Sequence, residues 1–207
     1  MRERVPWWGL VSSSAAPVLL IGGWTLAAGL QPGAFDPVAD TISALAGHDA
    51  EDRWVMTAAL AGLGVCHVTT ALALRPLARS GRVLLAVGGV ATILVATFPL
   101  PAGGGSSTAH TAVAGAAFCA LSLWPALGWR RGVRAAPRSG SIRTRRPLPA
   151  PARPAVALGA AAVLVGLLGW FGAELALDDG RIGLSERATA GAQALWPLVA
   201  VLLSRRR

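Results

Sequence analysis

The sequence predicts an all-α integral membrane protein, a bundle of six transmembrane helices with both termini in the cytoplasm. Three observations predict it. Hydrophobic residues make up 54% of the 207-residue chain, mean hydropathy is +0.55 and only 14% of residues are charged, against roughly 25% in soluble domains. Apolar runs of about 20 residues recur, each long enough to cross a hydrocarbon core of about 30 Å. The charges, finally, segregate by sign between alternate connections.

The first span covers about 7–30, opened by Arg2 and Arg4. Its apolar stretch exceeds the roughly 7–15 residues of a signal-peptide core, and further spans follow, so it reads as a retained helix. The others cover about 54–74, 83–100, 107–129, 155–177 and 184–203. All are expected to be helices, because lipid leaves backbone groups no other partners outside a closed barrel. The runs are twice the length of barrel strands and do not alternate. Trp7, Trp8, Trp54, Trp129 and Trp170 stand at or near span ends, where an aromatic belt is expected.

All nineteen basic residues are Arg, which together with abundant Ala and Gly points to GC-rich coding and a bacterial source. Sixteen fall in the N-terminus, the 75–82 turn, the 130–154 segment and the C-terminal tail; three, Arg53, Arg181 and Arg187, fall in the alternate connections. By the positive-inside rule this split places both termini in the cytoplasm and the protein in the cytoplasmic (inner) membrane as a multi-pass chain. It agrees with an even number of spans. The net charge of +9 therefore reports membrane orientation, and no nucleic-acid partner is expected. The segment RRGVRAAPRSGSIRTRRPLPAPARP, residues 130–154, holds eight Arg and five Pro. It reads as a disordered cytoplasmic linker able to lie on anionic lipid, at about 1 kcal/mol per Arg near the surface.

The ten acids partition the other way, with five of them in residues 36–52. Asp36-Pro37 suits a helix start and Gly47 a stop. Val38, Ile42 and Leu45 follow helical spacing, predicting a short amphipathic helix with Asp40 and Ser43 turned the same way. PAGGGSSTAH offers Ser106, Ser107 or Thr108 as a cap for the fourth span and puts His110 in its first turn, with carboxylates expected as neighbours. Glu174 lies near the outer end of span five, and intramembrane ionisable groups usually face a partner. Arg187, beside Glu186 in GLSER, is the expected one. These six, Asp40, Ser43, His110, Glu174, Glu186 and Arg187, form the candidate outer polar cluster. His67 lies thirteen residues into span two, about 20 Å down at 1.5 Å per residue, where a carbonyl, Thr69, Thr70 or a polar group of span three would satisfy it.

Cys66 and Cys119 fall inside spans and make neither a disulfide framework nor a metal motif. No phosphate loop, nucleotide fingerprint or haem motif occurs, so no cofactor and no metal are expected. Glycines of the spans, among them Gly23, Gly64, Gly89, Gly166 and Gly169, are expected to let helices pack closely.

The DTISALAG stretch, HTAVAGAAF at the start of span four and GLSER at the start of span six together resemble the bacterial and archaeal membrane family catalogued as domain of unknown function 998. The resemblance covers nearly the whole chain and implies a six-helix membrane fold, with no established reaction. The Arg/Pro-rich insert is a departure from it. The favoured function is a non-enzymatic membrane protein whose outer polar and acidic cluster binds a lipid headgroup or a protein partner. The alternatives are an intramembrane lipid-modifying hydrolase built on His110 and the carboxylates, and a small transporter in which His67 supplies the ionisable group at depth.

Overall fold

The computed structural model describes residues 4–33, 35–131, 148–177 and 179–205. Among them there is no strand. Seven α-helices run in order: α1 (Trp7–Gly29), α2 (Ile42–Leu45), α3 (Trp54–Ala73), α4 (Arg79–Thr97), α5 (Thr108–Gly128), α6 (Pro154–Leu177) and α7 (Ile182–Arg205), with one 3₁₀ turn at Ala150–Ala152. Five of them, α1, α3, α4, α5 and α6, are long and apolar enough to cross a membrane. α7 matches α6 in length, at 24 residues, but is not among the five.

The six long helices close into a ring. Each packs on the next in chain order, and α1 meets α7. Exposed Val18, Val87, Val163 and Leu175 face outward, as expected of a surface solvated by hydrocarbon rather than water. Inside are two apolar layers. One is built on Leu20, Met56, Leu60 and Leu63, with Ile42 and Leu45 of α2 laid on it. The other is built on Leu74, Leu85, Leu121, Trp124 and Val201. α3 and α4 come together at Gly64 and Gly89, where a side-chain carbon on either would strike the other's carbonyl oxygen. Gly22, Gly159, Gly166, Gly169 and Gly172 pack against nothing within 4 Å, so the expectation of close packing holds for some span glycines and fails for these.

The connections gather at two ends. At one, here the turn end, the Ala78 N–H donates to the Gly128 carbonyl at 2.9 Å, and the Arg130 N–H to the Ala152 carbonyl at 3.0 Å. The Arg205 guanidinium reaches the Pro6 carbonyl at 3.4 Å. Pro151 and Ala152 are buried here, so the last residues of the Arg/Pro-rich segment pack as a turn against the bundle instead of forming part of a disordered linker. Residues 132–147 lie outside the described residues.

The other end, the loop end, carries the long 30–53 connection, and its acids fold it. The Asp36 carboxylate accepts the Val38 N–H at 2.8 Å, and that of Asp40 the Asp36 N–H at 2.8 Å. Asp49 accepts the Gly103 N–H at 2.7 Å, and Asp52 the Trp54 indole N–H at 2.9 Å. The Gln31 amide exchanges two hydrogen bonds with the Glu51 backbone. Of the five clustered acids, Asp36 and Asp40 thus close a turn, Asp49 ties the loop to the 98–107 connection, and Asp52 holds the Trp54 indole. The helix expected from Asp36 is corrected to the single turn Ile42–Leu45, capped by the Thr41 hydroxyl on the Ala44 N–H at 3.1 Å. Asp36 forms a side-chain turn instead, a conformation that competes with helix.

Candidate functional site: a docked loop over an internal chamber

α7 carries the side chains that hold the loop. Glu186, one turn into the helix, is 3% exposed. Its carboxylate accepts the Ile42 N–H, at the free N-terminus of α2, and the Ser43 hydroxyl at 3.1 Å. An anion at a helix start satisfies donors that have no partner within the helix, and each such charged hydrogen bond contributes about 1.5–3 kcal/mol. Next to it, one nitrogen of the Arg187 guanidinium donates to the carbonyls of Pro37 (2.9 Å), Asp40 (2.6 Å) and Gly183 (3.0 Å). The same guanidinium lies 5.9 Å from the Trp24 ring and 5.4 Å from the Phe35 ring, within cation–π range. The Leu184 N–H adds a bond to the Val38 carbonyl at 3.0 Å. Gly183 allows this approach, because a side-chain carbon there would run into the Asp40 carbonyl.

Beneath the docked loop lies a chamber of about 60 Å³. Its walls come from one stripe of each of several helices. Leu60, Leu63 and His67 of α3 are spaced i, i+3, i+7; Glu186, Ala190 and Gln193 of α7 are spaced i, i+4, i+7. α1, α4 and α5 contribute Leu20, Thr92 and Phe118 among others, and Ile42 and Ser43 of α2 also line it; α6 contributes nothing. The lining is mainly apolar with a few polar groups, the usual composition of a ligand pocket. By rise along the helices, Glu186 and Thr92 lie about 6–8 Å below the helix ends, and Gln193 and His67 about 16–20 Å below.

Most of these polar groups are committed. The Gln193 amide N–H₂ donates to the Phe118 carbonyl at 3.0 Å and the Ser122 hydroxyl at 2.9 Å. The Thr92 hydroxyl donates to the Gly88 carbonyl at 2.8 Å. His67 is the exception: it is 1% exposed, and neither ring nitrogen has a hydrogen-bond partner. Of the expected partners, the Thr70 hydroxyl pairs with Ser12 at 2.9 Å, and Thr92 of α4 donates to its own helix. A buried polar atom left unpaired costs about 1–3 kcal/mol, so this site is the least satisfied in the bundle interior.

The six residues of the expected outer cluster divide into three groups. Ser43, Glu186 and Arg187 come together with the backbone of Asp40. The Asp40 carboxylate turns back to Asp36, which corrects the expectation that it would face the same way as Ser43. Glu174 is buried, but its partners are the Trp170 indole N–H at 2.8 Å and the Arg181 guanidinium at 3.6 Å, not Arg187. Arg181 is closer in sequence, and Arg187 is held by loop carbonyls. His110 is buried with Nδ1 at 2.8 Å from the Phe98 carbonyl, a backbone partner where a carboxylate was expected. Ser107 is the cap, accepting the His110 N–H at 3.1 Å. Among the described residues no three His, Cys, Asp or Glu side chains gather as a metal site.

Sequence reasoning missed Gln193, Thr92, Trp24 and Phe35. The α7 residues were detectable: Glu186, Thr189 and Gln193 form one polar stripe at helical spacing inside an apolar segment. Trp24 and Phe35 gave no such signal, because their role depends on where Arg187 lands.

Among comparisons with known proteins, the family model described as Protein of unknown function (DUF998) matches residues 14–203. No curated protein and no solved structure matches the chain.

Proposed function

The chain belongs to the DUF998 family of membrane proteins, and from that premise we propose that it is a non-catalytic, six-span protein of the cytoplasmic membrane that binds a lipid-type amphiphile at its extracytoplasmic end. The observation that carries this reading is the Glu186 carboxylate. It is buried on α7 and holds the loop at Ile42 and Ser43 as a cover over a mainly apolar chamber. A cover bound by polar contacts above an apolar interior suits a guest with one polar and one apolar part.

Three features support the finer parts. α7 is about 36 Å long at 1.5 Å per residue, enough to cross, and lies between α1 and α6 in the ring. Its hydropathy is lowered by Ser185, Glu186, Thr189 and Gln193, all buried inside the bundle, so lipid does not meet them. Arg4, Arg75, Arg79, Arg82, Arg130 and Arg205 belong to the turn end, whereas the described acids belong to the loop end. That supports a cytoplasmic turn end, with the Arg-rich 130–154 segment against anionic lipid. A hydrolase reading would need His110 beside carboxylates, and a transport reading a relay of carboxylates at depth; neither arrangement is among the contacts described above.

The test is lipid retention. Native mass spectrometry of protein released from membranes in mild detergent should show a bound amphiphile on wild type and on Glu174→Gln. Retention should fall several-fold in Glu186→Ala and in the milder Ser43→Ala. Equal retention in all four, or none on wild type, would refute the reading.

A further inference from the structure

Resting on that reading, we infer that the chamber is a recognition site for an uncharged hydroxyl group, with His67 as its binding residue. Two independent observations point to it: a partly open space of about 60 Å³ among the helices, and a fully buried imidazole lining it with both nitrogens unpartnered.

The chemistry of the imidazole selects the guest. A neutral ring offers one N–H donor and one lone-pair acceptor. The two nitrogens point apart, so each takes its own partner: one group that accepts from the N–H and one that donates to the bare nitrogen. A hydroxyl, of water or of a larger guest, can serve at either position, whereas an ammonium can only donate and a carboxylate or fully ionised phosphate can only accept. The other polar walls agree. The Thr92 hydroxyl, the Ser43 hydroxyl and the Gln193 N–H₂ have given their protons to Gly88, Glu186, Phe118 and Ser122, so the hydroxyl oxygens remain as acceptors for a guest that donates. The Glu186 carboxylate already accepts from the loop through both oxygens, and the adjacent Arg187 guanidinium offsets its charge. The apolar walls add a desolvation penalty against any ion.

Size limits the guest further. About 10–15 Å³ of such space holds one water, so the chamber's 60 Å³ has room for a few waters or for the hydroxyl end of a larger molecule. The two sources share one chemistry. Water would enter from the loop end. An amphiphile would place its hydroxyl by His67, with the Ile42–Ser43 cover displaced to admit its chain.

Histidine-selective ¹⁵N NMR of the full chain in nanodiscs tests this, with the His67 signals assigned by loss in His67→Leu. The expected spectrum has one protonated and one hydrogen-bonded unprotonated His67 nitrogen, with exchange cross-peaks to water. Adding 1-butanol separates the sources. Saturable loss of the water cross-peaks with butyl contacts to His67 identifies an amphiphile hydroxyl as an accepted guest; cross-peaks unchanged by 1-butanol identify water alone. Either result supports the site. A free, unbonded nitrogen without water exchange overturns it, as does displacement by butylammonium or butyrate but not by 1-butanol. A second readout needs no assignment. If the chamber is empty, His67→Leu removes an unsatisfied polar group and raises Tm; the proposal requires Tm unchanged or lowered. Loss of lipid retention with an intact hydroxyl signature would reject the amphiphile reading alone.

Discussion

α6 and α7 have the same length and adjacent places in the ring, yet they show different chemistry to their surroundings. α6 buries only Ala157, Ala161, Leu164 and Glu174 and leaves Leu158, Val163, Leu175 and Leu177 exposed. α7 buries ten residues, among them Ser185, Glu186, Thr189 and Gln193. Hydropathy ranks α6 as a span and passes over α7. The comparison teaches that hydropathy measures how much lipid a helix meets, which is a different quantity from whether it crosses. A helix on the rim must be apolar on most of its circumference. One that faces a chamber can carry carboxylate, amide and hydroxyl groups, provided the bundle supplies their partners.

The difference should be largest in the two buried glutamates. Removing the acceptor of buried donors leaves them unsatisfied and costs about 1–3 kcal/mol for each stranded group. Glu186→Ala on α7 strands the Ile42 N–H and the Ser43 hydroxyl and leaves the neighbouring Arg187 without its adjacent carboxylate, so a loss of that order is expected. On α6, Glu174 is 4% exposed but its cation, Arg181, is 57% exposed and regains water. Glu174→Gln, which keeps an acceptor for Trp170, should lose about 1 kcal/mol or less. Unfolding of both variants in the same mixed micelles gives the two numbers. Equal losses would break the comparison.

Glycines give a smaller contrast. Gly183→Ala on α7 pushes a carbon into the Asp40 carbonyl, and overpacking of this kind costs about 1–3 kcal/mol. The loop amides around Ile42 should also exchange faster, because their cover is lifted. Gly166→Ala on α6 meets nothing within 4 Å and should gain up to about 1 kcal/mol from helix propensity. Hydrogen exchange and unfolding together check both. A gain in Gly183→Ala would mean that the loop is not seated on α7.

The helical class and the approximate positions of the long helices were legible because apolar run length leaves its mark on each segment separately. The two ends were legible because Arg and acids alternate between connections. The loop was half legible. Asp36-Pro37 looked like a helix start, but a short side chain that bonds its own neighbouring N–H serves a turn equally well, and only tertiary packing chose between them. The site was least legible where it depends on pairing across the chain. Arg181 and Arg187 both sit within reach of the α6–α7 connection by sequence, and which one meets Glu174 is decided by the loop carbonyls that draw Arg187 away. The empty hydrogen-bonding capacity of His67 had no sequence signal at all, since which neighbours bond elsewhere, as Thr70 does to Ser12, is decided by tertiary packing.

The account depends on α7 crossing the membrane with its polar stripe turned inward. In a chain lacking Cys66 and Cys119, Asp179→Cys and Arg205→Cys mark the two ends of that helix. In intact cells a membrane-impermeant maleimide should label Asp179→Cys at once, together with Ala50→Cys in the loop, and should reach Arg205→Cys only after the membrane is opened. Labelling of Asp179→Cys and Arg205→Cys from the same side would contradict the crossing, and with it the chamber among the helices.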